Sequence, residues 1–369
     1  MSMPERVESD GKSLDALRVV LAELALACVL LAAIAGTTAL LLVAGGYPVG
    51  GGLAALWSGS VGSWYAFTSA TLVRAVPFML TGGAVALAFR AGVFNIGAEG
   101  QLLVGAATAT TVAFALPGAS ASWPMIAVAL GAAAAGGALW AGVAAALRSR
   151  FGVLEVISTI MLNFVALHLV SFLVRGPLQE PTRIYPQSSS ITEALQLPRI
   201  AGAGRLHVGI VLGVIVLIAT GWMLRHTAVG FRLIAAGENP AAAASAGGID
   251  VSASTTHAFM LSGALAGIAG GTEVLGVTFA LYENISPGYG YTAIAVALLA
   301  RLDPWRVLLT AVLFGALEAG ASAMQRDAGV PSTLVSVIEA ALILAVVAAQ
   351  ALRSRRVASS TGVVLDRSA

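Results

Sequence analysis

FRAGVFNIGAEGQLLVGA, residues 89–106, stands between two apolar runs and carries Arg90, Asn95, Glu99 and Gln101 with glycines at 92, 97, 100 and 105. A membrane-embedded chain does not put a carboxylate, two amides and a cluster of glycines at an ordinary lipid-facing turn. In hydrocarbon, irregular backbone is tolerated only where protein covers it or a wet cavity faces it. The stretch therefore reads as a broken helix start lining a pathway.

The rest of the chain supplies the membrane. Of 369 residues, 58% are hydrophobic and only 10% charged, with a mean hydropathy of +0.90. Soluble globular domains carry about a quarter charged residues. The reading is an all-α polytopic integral membrane protein. The net charge of +2 does not point to nucleic acid, because the cations are spread over the loops. The single cysteine, Cys28, excludes a disulfide framework.

A spanning helix needs about 20 apolar residues. Ten candidates are predicted, at 18–44, 67–89, 97–116, 123–147, 154–174, 207–224, 253–275, 281–300, 305–324 and 332–352. The expected organisation is a cytoplasmic segment 1–17, a membrane domain 18–352 with an inside loop at 225–252, and a cytoplasmic tail 353–369. With the N-terminus inside, Arg6, Lys12, Arg18, Arg90, Arg148, Arg150, Arg225, Arg232, Arg301, Arg306, Arg353, Arg355, Arg356 and Arg367 are inside. Arg175, Arg183, Arg199, Arg205 and Arg326 are outside, and Arg74 lies within the second span. That bias places both termini in the cytoplasm. The halves loosely resemble each other. Each has a glycine-rich interruption, at 92–105 and 263–290, and five helices per half would give them opposite topology. Paired interruptions point to a transport site.

Signatures of soluble enzymes are absent. His168, His207, His226 and His257 are scattered, without metal spacing. Gly11–Ser13 reads GKS, but Arg6 stands where a P-loop needs its first glycine. No ATPase site or bound cofactor is expected in this chain.

Four places carry polar chemistry. Glu99 sits where a carboxylate costs roughly 2.5–3.5 kcal/mol on insertion scales. It is either a pathway residue or an anchor for free N–H groups at a helix start, and Asn95 has the same two readings. In the fifth span Glu155, Thr159 and Asn163 share one face at i, i+4 and i+8. That face lines the route or bonds a neighbouring helix. Tyr282, Glu283 and Asn284 precede Pro287-Gly288 and resemble an unwound segment near the outer side. Asn95, Glu99, Gln101, Glu155, Thr159, Asn163, Tyr282, Glu283 and Asn284 are the candidate path or gate residues. Glu273, Glu318 and Glu339 lie in spans without an assigned role. In the loop 225–252, Asn239 is a good N-cap, Pro240 suits the first helical position, Ala241–Ala246 favours helix and Gly247-Gly248 stops it. This short helix with a flat alanine face suits docking of a cytoplasmic partner.

FNIGAEGQLLVGA at 94–106, EVISTIMLNFVALHL at 155–169, GPLQEP at 176–181, AAGENPAAAASAGGI at 235–249 and the glycine-rich 262–290 together resemble ABC importer permeases. The chain is similar to the ribose and branched-chain amino-acid branch, and most of all to its nucleoside (simple-sugar-like) permeases, over roughly residues 65–350. The resemblance implies a cytoplasmic ABC ATPase, which uses ATP and Mg, docking on Gly237, Glu238, Asn239, Pro240, Ala243 and Gly247. It implies a second permease subunit, an extracytoplasmic solute-binding lipoprotein, and nucleosides (purine nucleosides first) as solute, imported through the cytoplasmic membrane. The alternatives are a permease for ribose-like sugars or another small polar solute, and an ion-coupled transporter using Glu99 or Glu155.

Overall fold

The computed structural model describes residues 32, 35–116, 123–202, 204–331, 333, 334, 336–338, 340, 341 and 344. The expected segment 1–17, Cys28, the tail 353–369, Glu339, and most of the expected spans 18–44 and 332–352 lie outside the described residues.

Among the described residues the regular elements are helices, and β pairing is limited to isolated bridges. In chain order they are α1 (Ala35–Ala44), α2 (Val49–Ser60), α3 (Trp64–Arg90), α4 (Ala98–Ala115), α5 (Trp123–Phe151) and α6 (Glu155–Arg175). There follow α7 (Gly209–His226), α8 (Ala228–Glu238), α9 (Pro240–Ser245), α10 (Val251–Thr278), α11 (Tyr289–Leu299) and α12 (Pro304–Asp327). The described residues divide into two compact units, those up to 55 with those from 324 on, and residues 56–323. In the first, α1 turns at Gly46 (φ 77°) and Leu42 packs where Gly52 has no side chain.

Among the described residues six helices, α3, α5, α6, α7, α10 and α12, are long and apolar enough to cross a membrane. Of the other predicted spans within the described residues, α4 opens with Glu99 and Gln101 and falls outside that set. The span expected at 281–300 is shorter than read. Phe279 adopts a left-handed conformation (φ 55°), Gly288 another (φ 101°), and the helix starts only at Tyr289. Its 11 residues reach about 16 Å at 1.5 Å each, half the bilayer core.

The sequence explains which helices are central. Most of α3 and α10 is buried, against about a third of α5, α6 and α7. α10 packs on α4 and α5 through glycines. A Cβ on Gly267 would stand 2.1 Å from the Ala133 carbonyl oxygen, and one on Gly270 would stand 2.0 Å from that of Leu102. Small residues let backbones meet where burial of apolar area gives little drive between helices in lipid. Gly267→Val is expected to destabilise the detergent-solubilised protein by about 1–3 kcal/mol or more. Gly131→Ala, with nothing within 4 Å of the added carbon, is its neutral control. Thermal unfolding followed by size exclusion measures both.

Candidate functional site

The linker between α3 and α4 is built backbone first. Gly92 has φ 67°, and a Cβ there would lie 2.8 Å from Gly237 Cα. Glycine is thus required twice at this position, for the turn and for the close approach. Ala91 and Val93 enter an apolar cluster with Leu87, Leu224, Leu233 and Phe259. α8 is therefore joined to the linker by both its backbone and its buried face.

Asn95 is fully buried. Its Oδ1 accepts from Gly97 N (2.9 Å) and Gln101 Nε2 (3.0 Å). Its Nδ2 donates to Gln101 Oε1 (3.0 Å) and Ser262 Oγ (2.9 Å) of α10. The bond to Gly97 is an Asx turn two residues on. It precedes the N-cap position of α4, which Gly97 itself occupies.

The starts of α4 and α11 are each bonded by a side chain from another helix. Gly100 N, a free donor of α4, bonds Asn163 Oδ1 of α6 at 2.8 Å, and Asn163 Nδ2 donates to Ile96 O at 3.0 Å. Glu99 does not cap its own helix. Its Oε2 accepts from Gly290 N at 2.7 Å, at the start of α11. The approach is tight, since a Cβ on Gly290 would stand 2.2 Å from Glu99 N. A carboxylate at a helix N-terminus is favourable for charge as well as for the bond. The starts of α4 and α11 are thus clasped to each other through Glu99, and that of α4 to α6 through Asn163.

The stripe on α6 divides. Thr159 and Asn163 are buried against this clasp. Glu155 instead forms an ion pair with Arg148 at 3.1 Å at the end of α5. The opposite face of α6, with Ile157, Met161, Phe164 and Phe172, is exposed.

Tyr282, Glu283 and Asn284 are not brought to the clasp. The Glu283 carboxylate takes two bonds from Arg175 (3.0 and 2.8 Å) and one from the Ser171 hydroxyl. These partners hold the Glu283 carboxyl below its ordinary range, so the clamp stays ionised at neutral pH. Tyr282 pairs with Gln187 in a β-bridge, and Asn284 is exposed. Here the long loop zips along the end of α10 through Leu197 N to Leu275 O (2.7 Å) and Ile191 N to Phe279 O (2.7 Å).

At the opposite end, Asn239 Oδ1 caps α9 by accepting from Ala242 N at 3.0 Å, with Pro240 in the first turn. Ala243 is buried, whereas Glu238, Asn239, Pro240, Ala241, Ala242, Ala244 and Gly247 are exposed. Gly237 is half-buried, its would-be Cβ 2.5 Å from Arg90 O. Sequence reasoning missed Ser262, Gly290 and the Gly92–Gly237 contact. The signal for all three was present as glycine and serine inside quoted motifs, but pairing across 145–191 residues is not written in spacing.

Residues 67–347 match the family described as branched-chain amino acid transport system, permease component. A glucose ABC transporter permease protein of Haloferax volcanii is 39% identical over 310 residues, covering 80% of this chain and 79% of its own length. The guanosine ABC transporter permease protein NupP of Bacillus subtilis is 38% identical over 319 residues, covering 85% and 90%. A second guanosine ABC transporter permease protein of that organism, NupQ, is 30% identical over 264 residues, covering 67% and 78%. No solved structure matches.

Proposed function

Since the chain belongs to the family of branched-chain amino acid transport system permease components, we propose that it is the membrane permease subunit of an ABC importer for nucleosides, purine nucleosides first. It sits as a multi-pass protein in the cell membrane. In this reading both termini are cytoplasmic and the loop 176–208 faces outward. A separate cytoplasmic ATPase binds and hydrolyses ATP and docks on α9. A solute-binding lipoprotein delivers the nucleoside from outside. The occurrence of two guanosine permease relatives in one organism supports pairing with a second permease. The ten-span plan with halves of opposite topology is the arrangement this mechanism uses.

One observation carries the mechanism. The backbone of Gly237, two residues before the cap of α9, touches Gly92, and the linker that Gly92 opens is clasped to α6, α10 and α11. Displacement of α9 by the ATPase moves that linker and shifts the heads of α4 and α11 together. Asn95, Glu99, Gln101, Thr159 and Asn163 are in this view the hinge of the inner gate. The two gate states differ in affinity for the solute, which is what couples ATP to transport.

A second reading, a sugar as solute, is favoured by the Haloferax relative. Uptake of labelled guanosine by a deletion strain carrying the full importer, with unlabelled guanosine, glucose and leucine as competitors, separates the two. Competition by guanosine alone is expected; competition by glucose alone replaces the nucleoside with a sugar. The docking surface has its own test. Asn239→Ala removes a cap worth about 1 kcal/mol from a six-residue helix. Copurification of the ATPase is expected to fall severalfold, while Asn239→Asp retains it.

A further inference from the structure

Between the head of α5, the residue that follows α10 and the loop residues 193–199 lies a surface cleft of about 370 Å³. Trp123, Glu193, Gln196, Leu197, Arg199 and Phe279 stand in its wall. The wall is held in place from behind. Leu197 N bonds Leu275 O at 2.7 Å, Ile191 N bonds Phe279 O at 2.7 Å, and Gln196 Nε2 donates to Ile191 O at 3.0 Å. Phe279 has φ 55°, a conformation that a bulky residue seldom adopts. Arg199 Cζ stands 5.9 Å from the centre of its ring, a cation–π contact. That contact uses the flat face of the guanidinium and leaves N–H donors at its edge for an oxyanion. Arg199 and Glu193 are both exposed. Among the described residues no hydrogen bond or ion pair engages the guanidinium or the Glu193 carboxylate. One cleft with aromatic and apolar walls thus holds one cation and one anion, each unpaired.

The length of α5 sets the depth of the cleft. Its 29 residues reach about 44 Å at 1.5 Å each, and a bilayer with its headgroup layers is about 40–45 Å thick. Arg148 and Arg150 mark its last turn at one headgroup layer, so Trp123 at its first residue reaches the other, where tryptophan is enriched. From Trp123 the exposed residues Ala127, Gly131, Ala135, Leu139 and Val143 follow every four residues, a continuous apolar row along the helix. A Cβ on Gly131 would meet nothing within 4 Å. The cleft therefore opens, at headgroup depth, onto a bare apolar row through the membrane. A soluble solute would leave the row uncovered, and an anionic lipid would meet Glu193 with like charge. A zwitterionic head on an apolar tail matches both parts. We propose that this cleft binds a phospholipid whose headgroup carries a phosphate and a primary ammonium, as phosphatidylethanolamine does. The phosphate lies on Arg199, the ammonium on Glu193, and an acyl chain along Ala127, Gly131 and Ala135. Such a lipid braces the loop 176–208 against the head of α5, whichever solute is carried.

The test is native mass spectrometry of the whole importer, purified in detergent and supplied with equal amounts of phosphatidylethanolamine, phosphatidylcholine and phosphatidylglycerol. Wild type is expected to retain phosphatidylethanolamine over the other two. Arg199→Gln is expected to lower that retention about tenfold, the scale of a lost hydrogen bond to a charged group. Glu193→Gln is expected to hold phosphatidylethanolamine and phosphatidylglycerol alike. Arg183→Gln, at an exposed arginine of the same loop outside the cleft, keeps the wild-type pattern. Unchanged retention in Arg199→Gln, or an equal loss in Arg183→Gln, overturns the site, as does a wild type that retains no phospholipid. Preference of wild type for phosphatidylglycerol or phosphatidylcholine overturns the pairing of Glu193 with a primary ammonium. The row has a competing occupant, the second permease. Leu139→p-benzoylphenylalanine, irradiated in membranes, is expected to trap lipid, and trapping of the second permease overturns the site.

Discussion

Glu99→Ala is expected to abolish about nine-tenths or more of solute uptake, while Glu99→Gln keeps it within about threefold of wild type. The reason is the bond from Gly290 N to Glu99 Oε2 at 2.7 Å, which is buried. Alanine leaves that N–H without an acceptor, at a penalty of about 1–3 kcal/mol, or roughly a factor of 5 to 150 in the population of the clasped state. Glutamine still offers an amide oxygen at the same reach. The pair of variants also distinguishes two roles. A carboxylate that contacts solute or carries a proton fails when its charge is removed, so loss in Glu99→Gln equal to that in Glu99→Ala assigns Glu99 to the path. Uptake per copy of assembled complex is the quantity to compare.

Gly237→Val is expected to separate ATP hydrolysis from transport. Its Cβ would stand 2.5 Å from Arg90 O and 2.6 Å from Gly92 N, against backbone that cannot rotate away. Valine must push α8 off the linker. The exposed residues of α9 are untouched, so the ATPase still copurifies and still hydrolyses ATP. Uptake falls by about tenfold or more, the scale of a displacement near 1 Å at a functional geometry. The expected signature is hydrolysis without uptake. Parallel loss of both, with loss of the ATPase from the complex, would instead make Gly237 part of the docking surface.

How much of this was legible in the sequence varies from place to place. The long helices were, because runs of 18 to 29 apolar residues in α3, α5, α6, α7, α10 and α12 have few other readings. α9 was legible down to its cap, since Asn-Pro followed by alanines is local chemistry. The late start of α11 was not. Leu281 and Ile285 are apolar and buried yet lie in irregular backbone, turned by Phe279 and Gly288. The polar residues of 89–106 drew attention for a sound reason, but their partners did not follow from it. Glu99 and Asn163 suit the first turn of a helix, and both do serve one; each serves a helix other than its own. Capping chemistry is readable from residue type, whereas the identity of the capped helix depends on tertiary packing. Glu155 and Glu283, read with the path, turned out to have arginine partners at helix ends. An arginine seven residues before Glu155 was visible in the sequence; one 108 residues from Glu283 was not.

The central claim is that force from an ATPase, entering at α9 and passing through the Gly92–Gly237 contact, drives the solute inward. The measurement that meets it most directly is initial uptake of labelled guanosine by proteoliposomes holding the full importer, with ATP inside and with proton and sodium gradients collapsed by ionophores. Uptake that requires ATP and is indifferent to the ionophores is the expected result. Uptake that persists without ATP and stops with the ionophores would contradict it.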